Sequence, residues 1–231
     1  MKLIKPTAAA LVSLISVAAH GQQLEITLTN LTHGIHFTPF VVAGHGVDNH
    51  IFQTGQSATP ELQALAEGGD ISGIVANLNS VGASIIENPV GGLLAPGAAT
   101  TFELETGDNQ YLSLAAMLLP TNDGFAGVDA WQIPETAGVY WLDVNAYDAG
   151  TEANDEIING GGAPGTPGIP AAPGMDGGVN ASGVATVDTN PMVHIHRGNL
   201  GDDDLTGGTS DVDNRIHRWL NPVIRVRVEV R

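Results

Sequence analysis

An antiparallel β-sandwich, mainly β with one or two short helices inserted, is the fold this sequence predicts, on two observations. Short stretches alternate apolar and polar residues, the period of strands with one buried face, and turns rich in Gly, Pro and Asp separate them. A doubly wound sheet would need helical stretches between successive strands, whereas helical spacing is confined to residues 59–78.

Residues 24–30 give the first strand, with Leu24, Ile26 and Leu28 alternating with Glu25, Thr27 and Thr29. A short second strand is expected at 41–43, followed by a polar, histidine-containing loop through Gln56. Thr59, Pro60 and Glu61 then supply a cap, a proline suited to the first turn and an acid for the helix dipole. Leu62, Leu65 and Ala66 share one face of that helix before Gly68 and Gly69 stop it. Asp70 can cap a second helix, in which Ile71, Ile74, Val75 and Leu78 fall at helical spacing. Further strands are expected at 100–105, 111–119, 138–144, 193–196 and 223–230. The last is the clearest, because Ile224, Val226, Val228 and Val230 alternate with Arg225, Arg227 and Glu229. Residues 159–178 are Gly- and Pro-rich and offer almost no side chains to bury, which predicts a long flexible loop. The collagen-like spacing of Gly165 and Gly168 breaks at Ala171.

At the N-terminus a basic start, with Lys2 and Lys5, precedes an apolar run from Ala8 to Ala19. This pattern reads as a secretory signal peptide, too short to span a bilayer as a helix. Cleavage after Gly21 makes residues 1–21 the signal and 22–231 a single domain; cleavage after Ala19 is the other reading. The expected location is therefore outside the cytoplasm, in the periplasm or extracellular. The chain has no cysteine, which excludes a disulfide framework and thiolate metal sites and leaves stability to the core. There are 25 acidic residues against 8 Lys and Arg, and both lysines lie in the signal. Such a surface repels phosphate backbones and anionic lipid heads and attracts cations.

Oxygen donors are densest at 117–129 and 139–156, where in both cases a strand runs into a loop. Asp148 and Glu152 flank Ala149-Gly150-Thr151, whose glycine permits a tight bend that can bring two carboxylates to one cation, and Asp123 sits in the opposing loop. Calcium takes six to eight oxygens at flexible geometry, which such loops supply. The other reading of these acids is turn chemistry, in which Asp side chains cap loop backbones.

These residues resemble the spondin N-terminal, or F-spondin, domain. In that family a Pro-x-x-Asp-x-Phe-x-Gly-Val-Asp segment precedes a Trp-bearing stretch and an Asp-Ala-Gly-Thr-Asp/Glu segment, matched here from Pro120 to Asp129 and from Asp148 to Glu152. Thr29 to Gly34 with Phe37-Thr38-Pro39, and His217 to Ile224, agree as well. The resemblance implies a β-sandwich similar to calcium-dependent membrane-binding domains, with Ca2+ held by acidic loops at one end. It implies Asp148 and Glu152 as leading ligands, Asp123 as third and Asp129 as fourth. It further implies an extracellular binding or adhesion module without catalytic activity, whose partner is an extracellular protein or glycan surface. The chain departs from the animal pattern in having Gly124 where an aromatic residue is usual and in lacking cysteines.

Two other readings remain open. His194 and His196 lie two apart on an expected strand, and with His33, His36, His45 or His50 they could clasp copper or zinc in an exported metal-handling protein. The third is a glycan-active enzyme using paired carboxylates, although nucleophile-elbow, zincin and phosphate-loop motifs are all missing. The run 201–208 is expected to be a solvated loop, since it lacks the spacing of an EF-hand. Most of Tyr140, Trp141, Tyr147, Trp131 and Trp219 are expected in the core.

Overall fold

The computed structural model describes residues 21–175, 177–184 and 190–231, so nearly all of the expected signal peptide lies outside the described residues. Ten strands form one folded-over, mainly antiparallel sheet, and two helices lie against it. In chain order these are β1 (Gln23–Asn30), β2 (His36–Phe37), β3 (Val41–His45), α1 (Pro60–Gly68), α2 (Ser72–Ser80), β4 (Ser84–Glu87), β5 (Ala99–Glu105), β6 (Tyr111–Leu119), β7 (Gly124–Gln132), β8 (Gly138–Asp148), β9 (His194–Ile195) and β10 (Ile224–Val230). The order along the sheet is β4-β3-β6-β7-β8-β10-β1-β5, with β2 on β6 and β9 on β8.

Strand β8 makes the sandwich from this sheet. Its first part, Gly138 to Val144, pairs with β10, and its last part, Asn145 to Asp148, pairs with β7. One layer is therefore β5-β1-β10-β8 and the other β8-β7-β6-β3-β4. Between them pack Leu24, Ile26 and Leu28 of β1, Val226 and Val228 of β10, and Leu112, Leu114 and Leu118 of β6. Their partners in alternation, such as Glu25, Arg225 and Arg227, face outward and are linked by ion pairs. Strand β6 reads as a continuous apolar run because both its faces are covered: Leu114 points into the sandwich, and Ala115 points at the helices.

The helices close the outer face of the second layer. Leu62, Leu65 and Ala66 of α1 and Ile74, Val75 and Leu78 of α2 pack on Val41, Ala43, Ala115 and Phe125. Helix α1 starts as its sequence predicts, Thr59 Oγ1 accepting the Leu62 N–H at 3.2 Å, and Gly69 ends it in the left-handed region. Helix α2 begins one residue later than Asp70 suggests, with Ile71 at the cap, although Asp70 Oδ1 still accepts the Ser72 N–H at 2.9 Å.

Three expectations are corrected. Residues 124–132, taken as loop, form β7, and β4 is a strand that the sequence pattern did not announce. Gly124, Ala126, Gly127 and Ala130 give β7 little strand propensity of its own, and its place between β6 and β8 supplies the hydrogen bonds instead. Trp141 is 62% exposed on the outer face of β8, whereas Trp219 is buried and Tyr147 is half-buried against Phe52 and Phe125.

Phe125 is fully buried, with the Phe52 ring 4.9 Å away edge-on. Phe125→Ala is expected to cost about 3–5 kcal/mol in urea denaturation, and Trp141→Ala less than about 0.5 kcal/mol.

Candidate functional site

The pairing of β7 with β8 sets Gly124 opposite Asp148, so the β6–β7 turn and the loop after β8 meet at one end of the sandwich. Asp123 closes that turn, fully buried. Its Oδ2 accepts the Thr151 N–H at 2.8 Å, the Thr151 hydroxyl at 3.2 Å and the Glu152 N–H at 3.1 Å, while its Oδ1 has no partner. Asp148 Oδ1 accepts the Gly150 N–H at 2.8 Å and Oδ2 accepts Asn154 Nδ2 at 2.7 Å. Glu152 Oε2 accepts Asn122 Nδ2 and the Gly168 N–H, each at 3.3 Å, and its buried Oε1 has no partner. Gly150 is required in this loop: its φ is +72°, and a Cβ there would stand 2.6 Å from the Pro191 carbonyl carbon.

Turn chemistry is thus real at Asp148 and Asp123, yet it leaves Asp123 Oδ1 and Glu152 Oε1 buried and unsatisfied, an expensive arrangement for an ionised carboxylate. Burial, with the adjacent Asp148 charge, pushes Asp123 up to about 7. Glu152 is also pushed up to about 7, mainly by burial, with Glu67 and Asp123 adding like charge. Among the described residues no three acid or histidine side chains are gathered at metal-holding distances. The two unpartnered oxygens nevertheless fit a hard cation, being anionic donors with spare lone pairs.

Asp129 lies six residues beyond Asp123, on β7, and serves another loop. Its Oδ1 accepts the Ile51 N–H at 2.7 Å and the Phe52 N–H at 3.3 Å, and its Oδ2 meets His50 Nδ1 at 2.5 Å. The structure thus brings Asp123, Asp148 and Glu152 to one end of the sandwich, without gathering them at metal-holding distances, and sets Asp129 apart. His194 does approach the acids, its Nε2 3.8 Å from Asp148 Oδ2. His196 is buried with both ring nitrogens engaged: Nδ1 accepts the Gly198 N–H at 2.9 Å, so Nε2 carries the proton toward Asn154 Oδ1 at 3.2 Å. Burial first, then Arg197 and His194, pull His196 down to about 3, so the ring is neutral. A directed chain therefore runs from the Gly198 N–H through His196 and Asn154 to Asp148. His45 is turned to Ser113 and Gly46, and His50 to Asp129.

Motif reading missed Asn122, Asn154 and Glu67, which orient or cover the acids, and it named His196 only as a candidate copper or zinc ligand. Only a fold that brings residues 67, 122, 154 and 196 to one end could reveal them. The acidic run 201–208 behaves as a turn, with Asp202 Oδ2 accepting the Thr209 and Ser210 N–H groups at 2.7 and 2.9 Å.

Residues 20–156 match the family of the spondin N-terminal domain, Spondin_N. This chain belongs to that family. The match takes in the Thr29–Gly34, Pro120–Asp129 and Asp148–Glu152 blocks and stops before the His217 block. No curated protein matches the chain. In this spondin domain, then, the Asp-Ala-Gly-Thr-Glu block and the Asp123 turn meet at one end of the sandwich, with all three acids buried.

The raised acids have a consequence for pH. A carboxyl that keeps its proton to about 7 when folded, but ionises near 4 when unfolded, makes stability fall as pH rises through that window. Neutral His196 acts oppositely, stability rising with pH between about 3 and its ordinary 6.5. Asp123→Asn isolates the first effect. In chelator, its stability relative to the unsubstituted chain is expected to rise on the order of 1 kcal/mol per pH unit between about pH 5 and 7, read from urea denaturation. A pH-independent difference would mean that Asp123 is already ionised when folded.

Proposed function

We propose that this spondin domain is an exported calcium-binding module that serves binding or adhesion and carries out no catalysis. The observation that carries the reading is the pair of buried, unpartnered carboxylate oxygens, Asp123 Oδ1 and Glu152 Oε1. Asp148 stands beside Asp123 and completes the acidic set. An all-oxygen, anionic donor set suits calcium better than copper or zinc, which favour imidazole and thiolate. Calcium bound there would neutralise the repulsion between the acids and satisfy the two oxygens that the protein leaves unmatched.

The basic and apolar start of the chain supports export, to the periplasm or beyond, and membership of the spondin family supports an extracellular module. Among the described residues no helix is long and apolar enough to cross a membrane. The partner in this reading is an extracellular protein or glycan surface, since the chain's net charge of −17 disfavours nucleic acid.

Differential scanning calorimetry in calcium and in chelator tests the proposal. Calcium is expected to stabilise the fold by about 2.7 kcal/mol when its free concentration is about 100 times Kd. Asp123→Asn and Glu152→Gln should abolish that gain, whereas Asp129→Asn should lower stability and retain the gain. Identical melting in both conditions would sink the calcium reading.

A further inference from the structure

The Gly- and Pro-rich segment 159–175 lies across the acid end and is held there largely by its backbone. The Gly168 N–H donates to Glu152 Oε2 at 3.3 Å, and the Gly165 N–H donates to Glu67 Oε2 at 2.6 Å. Glu67 arrives from the last turn of α1, fully buried, its Oε1 accepting Gln63 Nε2 at 2.8 Å. The contact with α1 is so close that a Cβ on Gly68 would stand 2.1 Å from the Gly162 carbonyl oxygen. Ile169, fully buried, donates its N–H to the Ile157 carbonyl at 2.7 Å, and Ala172 packs on Met117 and Leu119.

Two buried acids thus grip one segment from different elements, and one of them, Glu152, also carries an unpartnered oxygen. A cation held by the unpartnered Glu152 Oε1 fixes the carboxylate in place, and with it the Oε2 that accepts the Gly168 N–H. Without a cation, Glu152 gains solvation most directly by releasing the segment that covers it. Resting on the calcium reading above, we propose that residues 159–175 form a cation-coupled strap, anchored by Glu67 as a positioning residue, whose docking on Glu152 and whose cation occupancy reinforce each other. Linkage requires reciprocity: a loosened strap weakens calcium binding by the factor by which calcium tightens the strap.

Hydrogen exchange followed by NMR, in calcium and in chelator, reads both halves of the proposal. The Ile26 amide in β1 reports global opening and slows with any ion that stabilises the fold. The amides of Gly165, Gly168 and Ile169 report opening of the strap, and calcium slows them only if that opening costs the ion. Slowing of the strap amides by about tenfold or more, alongside Ile26, is expected. Slowing at Ile26 with unchanged strap amides overturns the strap and leaves the calcium reading standing; no change at either, with no shift in melting, removes both. Glu67→Ala and Glu67→Gln both delete the charge, but only Gln retains an acceptor for Gly165. Calorimetric titration with calcium chloride is expected to give an affinity several-fold weaker for the Ala variant than for the Gln variant, and equal affinities would overturn the anchoring role.

Discussion

Eleven residues of β8 donate and accept hydrogen bonds in two layers, first with β10 and then, from Asn145 onward, with β7. Everything at the acid end follows from this division. Because the strand leaves one layer for the other, the residues after Asp148 emerge beside the β6–β7 turn, where the Ala149 N–H donates to the Asp123 carbonyl. The same geometry draws in β9, which sets His194 opposite Asp148, and the Ala146 carbonyl accepts the His196 N–H.

The acids at that end are buried by connection rather than by an apolar pocket. Asp123 is surrounded by donors because the loop of residues 150–152 turns its N–H groups inward, which is why one of its oxygens is saturated and the other has none. Net charge sharpens the cost. In a chain with so large an acidic excess, three of the six arginines are spent on the outer face of the first layer, where Arg225, Arg227 and Arg231 meet Asp143, Glu25, Glu229 and Glu103. At the acid end Arg197 donates to the Asn154 carbonyl, while the carboxylates themselves are met by backbone N–H groups, Asn122 and Asn154, neutral groups that cannot cancel a full charge.

The strands that alternate were legible because each buries a single face. β1 and β10 set Leu24, Ile26 and Leu28 opposite Val230, Val228 and Val226 in register, as their two-residue periods require. β7 was illegible for the opposite reason, since its Gly and Ala residues carry no periodic signal and its hydrogen bonds come from neighbours distant in sequence. At the site, Asp123, Asp148 and Glu152 were readable from short motifs in which Gly and Thr shape the loop. Asp129 belonged to the same motif, yet five strand residues separate it from Asp123, and its oxygens had donors in residues 50–52. Asn154 and His196 give no local sign of their roles, because a hydrogen-bond chain linking residues 148, 154, 196 and 198 exists only after folding.

Composition is least informative about residues 159–175. A stretch with few side chains is naturally read as free, since side-chain burial is what sequence patterns report. Main-chain N–H groups are donors in every residue except proline, and a glycine segment can bring them closer to a partner than any other. Here Gly165 and Gly168 spend theirs on two carboxylates from α1 and the β8 loop. The prolines Pro164, Pro167 and Pro170 limit the backbone freedom that such a segment would otherwise lose on docking. In a chain without cysteine, a long connection is thereby fastened by charge and backbone geometry to a carboxylate that keeps one oxygen buried and unpartnered.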